Sequence, residues 1–565
     1  IENVTLSNLG KILEIIPAGL LYLEKQTIKN TIELSKKWSS VKNSLGHLSV
    51  DDNLVKDLVH MICDILEFKI TKEPNNGKHV FALDSSRLNL IGVKNVLLFA
   101  VPKEELTEND IECIHDSIML EDRPSNPSFV LCLKKSENIQ ELTRRQYLGI
   151  VLINEKDLIR CVLSPTPTQV FKRDVLIKQI KPSAISPYKT EGPVRTTFYG
   201  RHVEIGRILG KNVRNFAIVG ARKIGKTSLL FKIISSLPKN IVPVYLGLDS
   251  PEVQNYTTFL TALQDKLSEE YKKKININYD LSNCYPIIKK LNQSGKKPML
   301  FIDEIDKLIK FDEDNNFKLL SIFRSLAQEQ YCQLIISGFK GLSLIKKKLE
   351  SPLYNFLEFI TLDKLKKQDA LDLITEPMRS IGIRYGNDID RNLILEYTSH
   401  HPNLLQFLCK KLVEAIPERE EEKFRRTISA KDIKKVYESF DYEKYVINDF
   451  YLFFTDDIDP IERLIVLLLA EKYPYKKTFT TTEIIKALEK NGIHLSLVKL
   501  ADYSANLILR YIFLEEKSGL FRFALPIFPK MLRERDDFEY LIDQAKNEAK
   551  EKIESGDKTN AKKSL

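Results

Sequence analysis

A chain of 565 residues, 43% hydrophobic and 29% charged, has the composition of a soluble globular protein and the length of about three or four domains of ~150 residues. A net charge of +9 is mild for this length, so it permits a basic patch for nucleic acid or acidic lipid without arguing for one. The seven cysteines (Cys63, Cys113, Cys132, Cys161, Cys284, Cys332, Cys409) are scattered and lack CxxC spacing, which favours free thiols of a reducing compartment over a disulfide framework or zinc site. Cys113 and His115 have no second pair to complete a metal site. No apolar run approaches the ~18–20 residues of a membrane span. The longest, residues 464–470, is helix-like. The first residues carry Glu2 and Glu14 without a basic segment, unlike a secretory signal, and a start at Ile1 leaves room for preceding residues. The expectation is a cytoplasmic protein with no membrane partner.

Residues 12–44 read as helical with an interruption near Pro17. Residues 54–66 form a second helix, with Leu54, Leu58, Ile62 and Leu66 on one face. Strand-like pieces at 67–71 and 79–83 flank Pro74, Asn75, Asn76 and Gly77, a hairpin signal. A strand (95–101), a helix (108–119), a strand (129–133), a short helix and a strand (149–153) follow, and 158–163 closes the set. This order predicts an α/β module over 1–175. It loosely resembles the core of restriction-endonuclease-like domains, which need one acid and then acid-x-Lys on the next strand to hold Mg²⁺ at a phosphodiester. Asp84 ends a strand, but 95–101 carries neither acid nor lysine, and Glu67-x-Lys69 lies on the preceding strand. The module is expected to be degenerate or unrelated and used for binding, with an ATP-gated nuclease as an alternative.

Residues 181–194, with Pro182, Pro187 and Pro193 and no periodicity, mark the clearest boundary, within a linker assigned to 176–197. The strongest motif follows. The apolar run Phe216, Ala217, Ile218, Val219 leads into Gly220, and Gly220, Gly225, Lys226 and Thr227 fit G-x-x-x-x-G-K-T before an apolar helix. Such a loop turns backbone N–H groups around a β-phosphate, with a helix N-terminus behind them. Lys226 would reach the β/γ-phosphates, Thr227 would ligate Mg²⁺, and Ser228 joins them at the helix start. Further on, Asp303 and Glu304 end an apolar strand. Asp303 is the candidate Mg²⁺ holder and Glu304 the candidate base for the attacking water. A further strand (241–248, ending in Asp249) lies between the two motifs, which argues against a small kinase. Ser337 ends the apolar strand 332–336, as a γ-phosphate sensor or a plain turn. Arg324 is an arginine-finger candidate toward a neighbouring subunit or part of a solvated helix face.

Over about 196–420 this progression resembles the STAND-type AAA-like ATPases of bacteria and archaea. Phe198-Tyr199-Gly200-Arg201 is similar to the box that borders adenine in AAA-like ATPases, which implies roles for Tyr199 and Arg201 there. Leu362-x-x-Leu365 with Ala370 matches the family's entry to a helical lid, and Pro402, Leu404, Leu405 and Gln406 match its G-x-P-x-L-L-Q helix, which packs near adenine through Pro402. The family's glycine is His400 here, which puts the lid–adenine contact in question. For His400 and His401, capping or surface roles are favoured over nucleotide contacts or a metal pair.

At the C-terminal end, Ser429 with Asp432 marks a helix entry. Helical segments at 461–470, 482–490 and 497–509 precede strands at 511–515 and 520–524 around Lys517-Ser518-Gly519, a winged-helix pattern. Its third helix offers only Lys499 and Asn506 before Arg510 to read base edges, with Asp502 among them, so a relay against the nucleotide domain is expected. The predicted organisation is α/β multidomain: an N-terminal module (1–175), a linker (176–197), an AAA-like P-loop core (198–362), a helical lid (363–440), a winged helix (441–540) and a charged tail (541–565). The resemblance implies an ATP–Mg²⁺ switch in signalling or defence against mobile elements. ATP or ADP, further copies or a partner protein would be its partners, with nucleic acid more weakly supported. A DNA-binding initiator-like ATPase is the other alternative, marked by DNA affinity that falls steeply with salt.

Overall fold

The computed structural model describes residues 5–15, 25–45, 51–74, 79–91, 93, 95–119, 127–134, 136–145, 149–194, 198–210, 214–248, 255–278, 280–346, 348–416, 427–448, 458–473 and 478–563. The expected break at Pro17, the turn at 75–77 and the strand end at Asp249 lie outside the described residues. The chain divides into two compact units. The first is Ile1–Lys189 with Leu373–Asp390 and Cys409–Ile433; the second is Thr190–Asp372 with Arg391–Leu408 and Lys434–Leu565.

In the first unit the sheet runs β1 (Lys69–Lys72), β2 (Val80–Asp84), β3 (Asn95–Ala100), β4 (Ser128–Leu131), β5 (Ile150–Ile153) in spatial as in chain order. β1, β2 and β3 pair antiparallel, so the two strand-like pieces around Pro74 do form a hairpin. β3, β4 and β5 pair parallel through the helices Glu108–Met119 and Glu137–Arg145. β4 and β5 are buried along their whole length, which is why they read as unbroken apolar runs. Phe68, Phe129 and Phe171 cluster with ring centroids 5.2–6.0 Å apart. Residues 158–162 belong to the helix Glu155–Val162, capped at its end by Leu163 and started by a capping box in which Asn154 and Asp157 exchange backbone-to-side-chain bonds of 3.1 Å. Asp84 pairs across the sheet with Lys69 and Asn95, and its carboxylate accepts the Ser86 N–H (2.9 Å) and hydroxyl, a turn-closing role.

In the second unit, β6 (Phe216–Gly220), β7 (Ile241–Gly247), β8 (Lys297–Asp303), β9 (Gln333–Gly338) and β10 (Glu358–Leu362) form one wholly parallel sheet in the order β10-β6-β9-β8-β7. The strand between the two motifs in sequence, β7, is therefore an edge strand, while β9 separates β6 from β8. A core around Phe259, Leu300, Ile302, Phe323 and Leu334 closes one face under the helices Tyr256–Tyr271 and Lys318–Gln328. Because all five strands run the same way, the ends of β6, β8 and β9 open on one edge, where a doubly wound sheet takes its ligand.

The short strands β11 (Arg384–Tyr385) and β12 (Thr427–Ile428) pair parallel in the first unit. The end of the second unit carries the helices Pro460–Lys472, Thr481–Glu489 and Leu497–Leu509. With them goes an antiparallel sheet of β13 (Phe479–Thr480), β14 (Phe513–Lys517) and β15 (Leu520–Phe523) in the order β13-β15-β14. Asp459 caps Pro460–Lys472, and a Thr480–Glu483 capping box starts Thr481–Glu489. Phe479, Phe513, Phe521 and Phe523 pack beneath the sheet at 5.0–6.4 Å. The turn uses Gly519 at φ +71°.

Candidate functional site

The buried strand β6 delivers the chain into a loop that Lys223 (φ +57°) and Gly225 (φ +101°) turn back onto the helix Lys226–Ile234. Gly220 is required by close approach: a Cβ there would lie 2.8 Å from the Leu362 carbonyl oxygen of β10 and 3.0 Å from Ile224. Lys226 is buried, and its Nζ donates to the carbonyls of Gly220 (3.3 Å) and Ala221 (3.2 Å), 3.9 Å from Glu304 Oε1.

The Asp303 carboxylate is the centre of the site. Thr227 Oγ1 donates to its Oδ2 at 2.6 Å and the Tyr245 hydroxyl to the same oxygen at 3.2 Å. The Ser337 hydroxyl and the Glu304 N–H (3.1 Å) donate to Oδ1. Glu304 sits just past β8 in the left-handed region (φ +55°), its side chain 44% exposed toward the loop. Partial desolvation holds its carboxyl above the ordinary glutamate value against the pull of Lys226, and the charge of Asp303 adds to the rise. Two oxygen ligands, Thr227 and Asp303, side by side at a helix N-terminus fit a hard divalent cation that takes its remaining ligands from phosphates and water. Among the described residues, no cluster of three or more His, Cys, Asp or Glu forms an all-protein metal cage.

Lys226, Thr227, Asp303, Glu304 and Ser337 are thus brought together. Ser228 sits beside them with its hydroxyl turned to the Val194 N–H (3.0 Å). Arg201, at φ +63°, has a largely covered side chain. It donates to the carbonyls of Asp363 (2.5 Å) and Ile224 (3.5 Å) and lies 3.5 Å from Glu204, which ties the box to the phosphate loop. Gly200 (φ +73°) leaves no room for a Cβ against Asp369, and Tyr199 is half-buried beside it. Pro402 opens the helix Pro402–Glu414. Arg324 is not brought to the cluster: its guanidinium donates to the Pro352 carbonyl (2.7 Å) and stacks 5.7 Å over Phe356.

The two histidines separate. His400 occupies the left-handed region (φ +63°), the conformation glycine would supply, and its Nδ1 faces the Leu365 carbonyl at 3.2 Å. His401 is not a surface residue but fully buried, beside the Arg222 backbone and edge-on to Tyr511 at 4.7 Å. Burial pushes its pKa from 6.5 down to about 3, the nearby Arg201 and Lys223 adding to the drop.

Other contacts had no local sequence signal. Tyr445 donates to Asn403 Oδ1 (2.6 Å), stacks on Phe407 at 3.6 Å, and lies 5.0 Å beneath the Lys223 ammonium. Asp306 caps the start of the helix Lys340–Ile345 through the N–H groups of Phe339 (2.6 Å) and Leu342 (3.1 Å). Gly338 and Gly341 make room for that carboxylate. Phe339, two residues after Ser337, lies 5.6 Å beneath Arg510, which faces the fully buried Glu462 at 3.6 Å. Asn506 donates to Glu462 at 2.7 Å.

Residues 198–408 match the model of a family described as an ATPase domain predominantly from Archaea. This stretch is an archaeal-type ATPase domain. The chain is 24% identical over 254 residues to the uncharacterized ATP-binding protein MJ0439 of Methanocaldococcus jannaschii, covering 38% of this chain and 70% of that one. It is 27% identical over 186 residues to the uncharacterized ATP-binding protein MJ1076 of the same organism, covering 28% of this chain and 55% of that relative. The chain therefore spans only about half the length of MJ1076. Among solved structures, similarity extends to the Walker-type ATPase PABY2304 of Pyrococcus abyssi (15% identity, TM-score 0.46, 61% of this chain and 99% of that one). It also extends to the ORC2 protein of Aeropyrum pernix (13% identity, TM-score 0.41, 62% of this chain and 92% of that one). Among the described residues, no helix of the ATPase domain or its flanks is long and apolar enough to cross a membrane.

Proposed function

We propose that the chain is an ATP-hydrolysing switch of the STAND-type AAA-like kind. The observation that carries this reading is the meeting of Lys226, Thr227, Asp303 and Glu304 at one sheet edge. Lys226 is held by two loop carbonyls and would turn from them to the phosphate oxygens of ATP. Thr227 and Asp303 would hold Mg²⁺, which when bound neutralises phosphate charge. Glu304 accepts the proton of the attacking water. Its raised pKa suits that task better than an ordinary carboxylate would. Ser337, fixed on Asp303, would read the γ-phosphate, and Arg201, Tyr199 and Pro402 would border the base.

The route from the site to the C-terminal elements supports a relay. Ser337 is followed by Phe339, Phe339 stacks under Arg510, and Arg510 faces Glu462. The three helices and small sheet from Pro460 to Phe523 are the proposed winged helix, and residues 363–440 the proposed lid. Asn506, tied to Glu462, and the exposed Leu497 (66%) and Val498 (74%) make the third helix unlike a base-reading one. For residues 1–175 we favour a binding module over a nuclease, since Asp84 is used to close a turn. Coupling of nucleotide state to rearrangement or assembly, in signalling or defence, completes the proposal.

The test is enzymological. Lys226→Ala should lose nucleotide binding, while Glu304→Gln should bind ATP yet hydrolyse it about 10²–10⁴-fold more slowly. Hydrolysis by Glu304→Gln at the wild-type rate would remove Glu304 as the base.

A further inference from the structure

Asp303 accepts four hydrogen bonds, and one of its donors comes from a residue with no motif around it. Tyr245 lies on the edge strand β7, between the fully buried Val244 and Leu246 and on the opposite, half-buried face. β7 and β8 pair in register, with Tyr245 opposite Phe301 and Gly247 opposite Asp303. The Tyr245 hydroxyl therefore reaches diagonally along the sheet edge to Asp303 Oδ2. Its ring is fixed against Phe231 of the phosphate-loop helix, with centroids 4.8 Å apart.

We infer that Tyr245 is a positioning residue for divalent-cation binding, acting through Asp303; this rests on the ATP–Mg²⁺ reading above. All four partners of Asp303 are donors, so the carboxylate acts purely as an acceptor with its lone-pair directions occupied. A cation entering beside Thr227 needs one of those directions and the lone pair of the Thr227 hydroxyl oxygen. The Thr227 bond, now 2.6 Å long to Oδ2, is the one that must be redirected. Tyr245 then remains as the donor that keeps Oδ2 from rotating, while Ser337 and the Glu304 N–H keep Oδ1. Groups in this outer position typically change metal affinity about 10- to 100-fold when removed.

Tyr245→Phe deletes the hydroxyl and keeps the ring against Phe231. Binding of a fluorescent ATP analogue is measured on the full chain in EDTA, then during a Mg²⁺ titration. The expected result is an unchanged affinity in EDTA and a Mg²⁺ half-saturation raised about tenfold, with hydrolysis recovering at saturating Mg²⁺. An unchanged Mg²⁺ half-saturation overturns the inference. So does an equal loss of affinity with and without Mg²⁺, which would assign Tyr245 to the fold. Wild-type binding that ignores Mg²⁺ is a different outcome: it removes the ATP–Mg²⁺ reading itself.

Discussion

His401 shows how far a side chain can be moved from its ordinary chemistry by where a loop puts it. The ring is fully buried between the Arg222 backbone and Tyr511, with a pKa of about 3 against the usual 6.5. A histidine whose folded pKa is depressed binds fewer protons folded than unfolded. Its stabilising effect is complete above about pH 6.5 and is lost progressively as pH falls toward 3. One such proton costs ~1.4 kcal/mol per pH unit, or ~2 kcal/mol between about pH 6.5 and 5. His401→Gln should therefore flatten the acid side of the stability profile, read as the urea midpoint from about pH 8 to 5. His400, also shifted down by burial, keeps part of the slope in the variant. A variant profile that parallels wild type would mean that His401 titrates alike in the folded and unfolded chain. The sequence marked this pair as a departure from a glycine position, and the conformation agrees, since His400 takes the left-handed backbone. The burial of its neighbour could not be read, because it depends on Arg222 and Tyr511, both far away in the chain.

At the scale of elements, legibility followed the kind of strand. β6, β8 and β9 are buried on both faces, so each reads as a continuous apolar run whose flanking glycine or polar residues mark its end. Asp303 and Ser337 stand out because polarity begins where the sheet ends, and Gly220 because it opens the G-x-x-x-x-G-K-T motif. The short apolar run at 158–163 does not by itself distinguish strand from helix, and the Asn154–Asp157 box just before it decides for helix. Sheet order was not legible either, and it is what gives Gly220 its second role. β6 pairs with β10 so that Gly220 lies opposite Leu362, whose carbonyl oxygen a Cβ would meet at 2.8 Å. Neither strand can retreat without breaking the pair. Gly220→Ala should cost ~1–3 kcal/mol and weaken ATP binding as the loop shifts. Gly206, inside the helix His202–Ile208, is the control, because a Cβ added there would meet nothing within 4 Å. Gly206→Ala should stabilise by ~0.5–1 kcal/mol through helix propensity. Thermal melts of both variants decide the point, and a neutral Gly220→Ala would mean that the β6–β10 register tolerates displacement.

For the whole molecule, the question is whether the ATP site and the first unit share a fate on unfolding. The chain crosses between the units once in the irregular stretch at Lys189–Thr190 and four times inside the helices Lys367–Ser380, Asp388–Thr398, Pro402–Glu414 and Ala430–Tyr437. A helix that is cut in two by partial unfolding loses hydrogen bonds at the cut and must renucleate, which makes independent melting costly. A switch that couples nucleotide state to the N-terminal module also needs a coupling free energy, typically ~1–3 kcal/mol. The sequence supplies its own reporter: the single tryptophan, Trp38, is buried in the first unit, while Lys226, Thr227 and Asp303 lie in the second. ATP–Mg²⁺ at about 100 times its dissociation constant adds ~2.7 kcal/mol to whatever unfolds together with the site. The Trp38 fluorescence transition should therefore move to higher temperature with ATP–Mg²⁺ in wild type and stay in place in Lys226→Ala. If calorimetry resolves two transitions and ATP moves only the one that Trp38 does not report, the helices do not carry the nucleotide's effect. The proposed switch would then have to work within the second unit, through Ser337, Phe339 and Arg510.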